Sequence, residues 1–293
     1  MTKERQIPDR KGKSSAFRHK RNSADGFPGT FTRPADALLA AEVELNNAAM
    51  LRLRGRLPGV ELHDDKDVIW LFAGDLWPRN SVALSRLTPR TADRRIGEIL
   101  ERHLASKVAC NWVVGPLSKP AGLTGHLRSH GFSCRIHCAG MACMLENNPP
   151  VRRCPDDISI ALAKEPPVLR PLTTELRQMR YRGRSLLGGM RPHQVWYLAA
   201  TSNGKAVGET ALFSADGVAG IYDVEVLEDF RRRGIGTALI RAALEQAQAL
   251  GCAQAVLGAS GMGRGVYQGL GFREVCKLSF WKYGKMRQLT ASD

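Results

Sequence analysis

The residues best suited to chemistry form a short basic stretch that is rich in glycine, Arg231-Arg232-Arg233-Gly234-Ile235-Gly236. Glycines let the backbone approach a ligand closely, and the arginines add full positive charges. If a helix begins directly after this stretch, its first backbone N–H groups add about half a positive charge at the same place. Such a combination suits an anion, and we interpret the stretch as a pyrophosphate site.

The segments on either side have the patterns that such a site needs. Residues 221–226 alternate in polarity and are rich in β-branched side chains, which predicts a strand. Residues 237–250 carry apolar side chains at helical spacing, and Gly251 predicts the end of that helix. The stretch has neither the Gly-Lys-Ser/Thr of a P-loop nor the third glycine of a dinucleotide-binding loop. A solvated basic turn is the alternative, but the order of strand, loop and helix favours an anion site.

Two motifs in the second half of the chain resemble the Gcn5-related N-acetyltransferases, the GNAT superfamily. Arg231-x-x-Gly234-x-Gly236, after a strand that ends Val224-x-Val226, is similar to that family's acyl-CoA-binding motif. Ala259-Ser-Gly-Met-Gly263, followed by Val266-Tyr267-x-x-Leu270-Gly271-Phe272, is similar to its last motif. The resemblance covers about residues 158–283. It implies an α/β (α+β) fold, in which helices flank a mixed and mostly antiparallel central sheet.

The resemblance also implies a donor substrate and the residues that bind it. The donor would be acetyl-CoA or another acyl-CoA, and no metal is implied. Ser260 departs from the pattern, because the family often has an asparagine at this place. The residues that match the binding motifs are Val224, Glu225, Val226, Arg231, Arg232, Arg233, Gly234, Ile235, Gly236, Thr237, Ser260 and Tyr267.

Acyl transfer to an amine needs a base for the amine, a hydrogen-bond donor for the carbonyl oxygen and an acid for the leaving thiolate. The resemblance implies that the N–H near Val226 is that donor and that Tyr267 is the acid. Alternatively, Tyr267 is a half-buried packing residue. Gly220 stands where the family often has its base. The base is therefore open among Glu225, Asp223 and Glu209. A water relay, an amine that arrives neutral, and a purely structural carboxylate pair also stay open.

The acceptor side is predicted from strand alternation and from a basic segment. Alternation predicts Asp223 and Glu225 on one face of their strand, and Tyr222 and Val224 on the other. In a GNAT fold, residues 166–189 would form the lip over the acceptor. Its arginines suit a carboxylate or phosphate on that acceptor, or they form a solvated helix face. The residues that we assign to the acceptor are Tyr222, Arg180, Arg184 and Trp196.

The 293 residues are enough for two domains. We predict a disordered basic tail over residues 1–34, a degenerate GNAT-like domain over 35–148, a linker over 149–157 and a catalytic GNAT domain over 158–293. In the first domain Leu127-x-x-x-Gly131-Phe132 echoes Leu270-Gly271-Phe272, but residues 85–97 contain no Gly-x-Gly. We also expect two strands, 132–138 and 141–145, to pair around Ala139-Gly140.

The composition limits the partners and the compartment. A formal charge of +15 favours anionic ligands, and nucleic acid could bind the basic tail, although a disordered tail is the preferred interpretation. Seven cysteines predict free thiols in a reducing cytosol, and no apolar run is long enough for a membrane span. Cys134, His137, Cys138 and Cys143 contain no Cys-x-x-Cys, which argues against zinc. Alternation predicts that Cys134 and Cys138 share a face and that His137 points away.

We therefore expect a cytoplasmic, acyl-CoA-dependent N-acyltransferase that acts by direct transfer in a ternary complex. The expected acceptor is the primary amine of a small molecule, and the expected state is a monomer or homodimer. A protein-directed or tRNA-directed acetyltransferase is an alternative within the enzyme class. A non-catalytic CoA-binding or nucleic-acid-binding regulatory module is the alternative from another class.

Overall fold

The structure is a computed structural model and describes residues 34–74, 80–147, 155–169, 178, 181, 183–187 and 194–283. Its helices are α1 (Pro34–Arg54), α2 (Ala92–Ala105), α3 (Leu123–Ser129), α4 (Ile235–Ala249) and α5 (Arg264–Gln268). Its strands are β1 (Glu61–Asp64), β2 (Ile69–Phe72), β3 (Ser81–Ala83), β4 (Cys110–Val114), β5 (Ser133–Met144), β6 (Ser159–Ala163), β7 (Val195–Ser202), β8 (Lys205–Ala215), β9 (Val218–Val226), β10 (Gln254–Ala259) and β11 (Arg273–Tyr283). Residues 183–187 are also helical. None of the helices in this part of the chain is both long and apolar enough to span a membrane.

All eleven strands belong to one sheet, in the order β1-β2-β3-β4-β11-β5-β10-β9-β8-β7-β6. Most neighbours are antiparallel, and the exceptions are β3 with β4 and β9 with β10. This mixed, mostly antiparallel sheet with flanking helices confirms the predicted fold class.

The two halves of the chain exchange their last strands. β5 follows Gly131-Phe132 in the first half, and β11 follows Gly271-Phe272 in the second. β5 nevertheless pairs with β10 of the second half, while β11 pairs with β4 of the first half. β5 and β11 also pair with each other, so they join both halves at the centre of the sheet. The domain boundaries drawn from the sequence stay a prediction.

Helices cover both faces of the sheet in the second half. On one face, α4 buries Ile235, Leu239 and Leu244 in a cluster that includes Val224 and Val226 of β9. On the other face, α1 packs its apolar side chains against Tyr197, Ala211 and Tyr222. β9 therefore lies between a helix of its own half and a helix of the first half.

β5 contradicts one sequence prediction. The two strands expected to pair around Ala139-Gly140 are a single continuous strand, Ser133–Met144. A Cβ atom at Gly140 would overlap the Sγ atom of Cys276 on β11 and press on Val43 of α1. The glycine therefore permits a close approach of neighbouring elements, rather than a turn.

Candidate active site

A cleft opens between the parallel strands β9 and β10. The two strands pair only over Val218–Gly220 and Gln254–Val256. Beyond this point β9 continues to pair with β8, and β10 continues to pair with β5. The strands therefore diverge, and residues 221–226 of β9 present a backbone edge toward the cleft. Backbone N–H and C=O groups on this edge can bind an extended ligand.

A β-bulge interrupts β9 beside the cleft. Glu225 lies opposite Glu209, and Tyr222 lies opposite Ala211, so Asp223 and Val224 share one partner, Thr210. Asp223 has a φ of 51°, in the left-handed region that few non-glycine residues adopt. The Thr210 hydroxyl donates a hydrogen bond to the carbonyl oxygen of Tyr222 at 3.1 Å and supports this conformation.

The bulge corrects the predicted faces of β9. Because it inserts one residue, Tyr222 and Glu225 lie on the same face as Ala211 and Glu209, toward α1. Val224 and Val226 lie on the opposite face, in the cluster with α4. The prediction that Tyr222 and Val224 share a face was therefore wrong. The corrected arrangement places an aromatic hydroxyl and carboxylates on one side of the cleft.

The basic loop before α4 forms a row of backbone donors. Arg232 and Gly234 have φ values of 61° and 82°, and α4 begins at Ile235. In the described part of the chain, no N–H from Arg232 to Thr237 donates a hydrogen bond to a protein acceptor. Gly234 has no neighbouring atom within 4 Å of an added Cβ position. Backbone donors of this kind at a helix start can bind an anion, and the anion site itself stays a prediction.

The three arginines of the loop differ in their contacts. The Arg231 Nε atom donates to the carbonyl oxygen of Val226 at 3.1 Å and thereby holds the end of β9. The Arg233 guanidinium contacts both carboxylate oxygens of Asp157, at 2.6 and 2.8 Å, and lowers the pKa of that carboxyl. Arg233 therefore ties the loop to the segment before β6, and Arg232 is exposed at the helix start.

Tyr267 lies on α5, at the end of the cleft that β10 forms. Its side chain is buried and its ring contacts Phe272 edge-on, with the ring centroids 5.9 Å apart. Burial raises the pKa of the Tyr267 hydroxyl, so the group keeps its proton at neutral pH. Ser260 is exposed after β10, and its carbonyl oxygen accepts hydrogen bonds from the N–H groups of Gly263 and Arg264 at the start of α5.

A buried ion pair lies on the α1 side of the cleft. The guanidinium of Arg184 binds both carboxylate oxygens of Glu209, at 2.8 and 3.0 Å, and both residues are buried. Burial raises the pKa of the Glu209 carboxyl, and the hydrogen bonds from Arg184 partly oppose that rise. The Arg184 Nε atom is also 3.8 Å from the Asp223 carboxylate. Arg184 therefore binds protein carboxylates, and its contact with an anionic acceptor stays a prediction.

Helix α1 of the first half also contributes a residue to this side of the cleft. Asn46 is buried; its Oδ1 accepts the Tyr222 hydroxyl proton at 2.6 Å, and its Nδ2 donates to the carbonyl oxygen of Val218 at 3.3 Å. A Cβ at Gly220 would collide with Asn46 Oδ1. Asn46 thus fills the space where the family often has its base. Its position was not predicted from the sequence, although a glycine inside a strand is a signal of close approach.

The structure separates one predicted acceptor residue from the others. Trp196 packs in the α4 cluster, on the face of the sheet opposite to Tyr222. Tyr222, Arg184 and the three candidate carboxylates lie on the α1 side. Arg180 lies outside the described residues.

The corresponding place in the first half is filled by protein. β3 pairs with β4 only at Ser81–Val82, and the strands then separate as β9 and β10 do. The indole of Trp112 donates to the hydroxyl of Ser85 at 2.8 Å, and the N–H of Lys119 donates to the Ser85 carbonyl oxygen at 2.7 Å. Ser85 is fully buried, so among the described residues of the first half protein atoms occupy this place.

The geometry can be compared with known proteins. Residues 162–272 match the model of the acetyltransferase (GNAT) family. This segment is a GNAT domain. Its boundaries include the cleft, the basic loop and Tyr267. A search of curated proteins finds no match.

Solved structures extend the likeness of the GNAT domain to the first half. A GCN5-related N-acetyltransferase from Kribbella flavida has 18% identity and a TM-score of 0.59, and the match covers 83% of this chain and 96% of that one. A tandem GNAT protein from the clavulanic acid biosynthesis pathway has 16% identity and a TM-score of 0.56, with coverage of 84% and 93%. At these identities the likeness shows the fold alone. In the described part of the chain, no group of three or more His, Cys, Asp or Glu residues could hold a metal ion.

Proposed function

We propose that the protein transfers the acetyl group of acetyl-CoA to the primary amine of a small molecule, directly and within a ternary complex. The observation that carries this proposal is the cleft between β9 and β10, with the row of backbone donors from Arg232 to Thr237 beside it. The row fits a diphosphate, because Gly234 leaves room for it and the helix start attracts negative charge.

The edge of β9 would bind the rest of the donor. An extended pantetheine arm has amide groups that can pair with the backbone of Val224–Val226, as a short extra strand would. The N–H near Val226 would then donate to the thioester carbonyl oxygen, where negative charge develops during transfer. Arg231 supports this geometry, because it holds the carbonyl oxygen of Val226.

Two groups of the chain would move protons. Tyr267 would protonate the leaving thiolate, and burial keeps its hydroxyl protonated for this role. Glu225 would accept the proton of the amine, directly or through water. The bulge supports this choice, because it places Glu225 on the same face of the sheet as Tyr222. Glu209 suits the role less well, since Arg184 occupies both of its oxygens.

Calorimetric titration with acetyl-CoA and CoA tests the proposal on the wild type, Gly234→Asp and Gly251→Asp. Both glycines have positive φ and open space around them, and they flank the two ends of α4. The two variants therefore share a similar backbone cost, but only Gly234→Asp brings a carboxylate to the proposed diphosphate site. We expect binding to weaken by at least about tenfold in Gly234→Asp, from charge repulsion, and to be unchanged in Gly251→Asp.

Absence of binding to the wild type, or equal loss in both variants, would contradict the proposed donor site. A screen of small amines, read as release of free CoA thiol, then identifies the acceptor. Acetylation confined to protein or tRNA would contradict the small-molecule part of the proposal and leave the donor site intact.

A further inference from the structure

A second β-bulge, in β5, brings a cysteine and a histidine together at the surface. Cys134 lies opposite Trp281 of β11, and Ile136 lies opposite Phe280, so Arg135 has no partner in the strand pairing. The inserted residue reverses the alternation of β5 on one side of the bulge. Cys134 and His137 therefore lie on the same face, and the predicted opposite faces were wrong.

The two side chains are in hydrogen-bonding contact. The Cys134 Sγ atom lies 3.4 Å from the Nε2 atom of His137 and 3.8 Å from the carbonyl oxygen of Ile136. Cys134 is half-buried and His137 is exposed, so a small molecule can reach the pair. A histidine in contact with a thiol can serve as the base that takes its proton, and this activates the sulfur as a nucleophile.

Burial makes four other cysteines in the described part of the chain less reactive. Burial raises the pKa of the thiols of Cys110, Cys138, Cys143 and Cys276. For Cys143 and Cys276 it raises the pKa to about 12. These groups remain protonated at neutral pH and react slowly, since the thiolate is the nucleophile.

We propose that Cys134 and His137 form a thiol–disulfide exchange site for low-molecular-weight disulfides. The His137 imidazole takes the proton of the Cys134 thiol, and the resulting thiolate attacks one sulfur of the disulfide. The S–S bond of that molecule breaks, and a mixed disulfide with Cys134 forms. The second half leaves as a thiolate and takes a proton from the His137 imidazolium. The incoming disulfide is the oxidant, so electrons and protons balance.

The site is separate from the proposed acyl-transfer cleft. Along β5, Cys134 is five residues before Ala139, and Ala139 pairs with Ala259 at the end of β10. Five residues of strand span roughly 17 Å, at about 3.3 Å per residue. The exchange therefore does not depend on the proposed acetyltransferase, and Cys134→Ser should leave acetyl-CoA binding unchanged.

The reaction of the full chain with 2,2′-dipyridyl disulfide, followed by absorbance and peptide mapping, tests the proposal. For an ordinary thiol, the ionised fraction falls about 50-fold between pH 8.5 and pH 6.5. We expect a fast phase that maps to Cys134 and slows by less than about tenfold over this range. Cys134→Ser should remove the fast phase, and Cys138→Ser, on the other face of β5, should keep it.

His137→Gln separates an assisted thiol from one that is merely accessible. We expect this variant to slow reaction at pH 6.5 at least fivefold and to have little effect at pH 9, where any thiol ionises. His130→Gln, after α3, is the matched control and should behave as wild type. A fast phase on another cysteine, or an unchanged pH dependence in His137→Gln, would overturn the proposal. If a variant does not fold, the pH dependence of the wild-type fast phase tests the proposal, and an ordinary thiol's dependence would overturn it.

Discussion

Replacing Tyr267 by phenylalanine separates catalysis from packing. The change removes only the hydroxyl, and the ring keeps its edge-on contact with Phe272. In the described part of the chain that hydroxyl makes no hydrogen bond, so we expect the free energy of unfolding to change by less than about 1 kcal/mol. Loss of a general acid should lower kcat by about 10²- to 10⁴-fold. CoA affinity should stay within about twofold, because the proposed diphosphate site lies on another element.

The assay measures release of free CoA thiol with an amine that the wild type acetylates, and calorimetry gives the Kd of CoA. Burial raises the pKa of Tyr267 above its ordinary value, so the acid stays protonated as the pH rises through 9. Wild-type activity should therefore show no loss from this group until the pH exceeds about 10. Tyr283→Phe, at the end of β11, is the control and should retain full turnover. Wild-type turnover in Tyr267→Phe would refute the assignment of the acid.

Three further predictions concern the α1 side of the cleft. Gly220→Ala should destabilise the protein by about 1–3 kcal/mol, because the new methyl collides with Asn46 and with the Tyr222 ring. In a denaturation cycle, Asn46→Ala should recover part of this loss, and simple additivity would contradict the contact with Asn46. Glu225→Gln should lower kcat by about 10²-fold with CoA affinity unchanged, and an unchanged kcat in steady-state assays would remove it as the base. Arg184→Met should cost about 3–5 kcal/mol in urea denaturation at pH 7, because it leaves Glu209 buried without its cation. Since burial already raises the pKa of Glu209, that cost should shrink as the pH falls through this raised value and the carboxyl protonates; a constant cost at low pH would exclude this cause.

Features that depend on local sequence were predictable. The strand, loop and helix around Gly234 follow from alternation, helical spacing and glycine placement, and the structure has them at residues 218–226 and 235–249. A motif predicted the role of Tyr267, and the burial of its side chain agrees both with a general acid and with a packing residue. The type and order of these elements need no information from distant parts of the chain.

Features that depend on contacts between distant residues were not predictable. Simple alternation cannot reveal a bulge, so the faces of Tyr222 and Cys134 were assigned wrongly. Asn46 is far from Tyr222 in sequence, and their contact depends on where α1 crosses the sheet. Gly140 was predicted to lie in a turn. Its actual role, the close approach of Cys276, could not be seen because β11 lies near the other end of the chain.

The exchange of β5 and β11 has a consequence for any attempt to divide the protein. A fragment that begins at residue 158 would keep β10 and β11 but lose β5, the strand that pairs with both. Each would then present an unsatisfied edge, and apolar side chains such as Leu257 and Leu278 would lose their cover. Such a fragment should aggregate, or recruit the missing strand from another molecule by domain swapping. We therefore expect the two halves to fold together, although the GNAT domain is a separate unit of sequence.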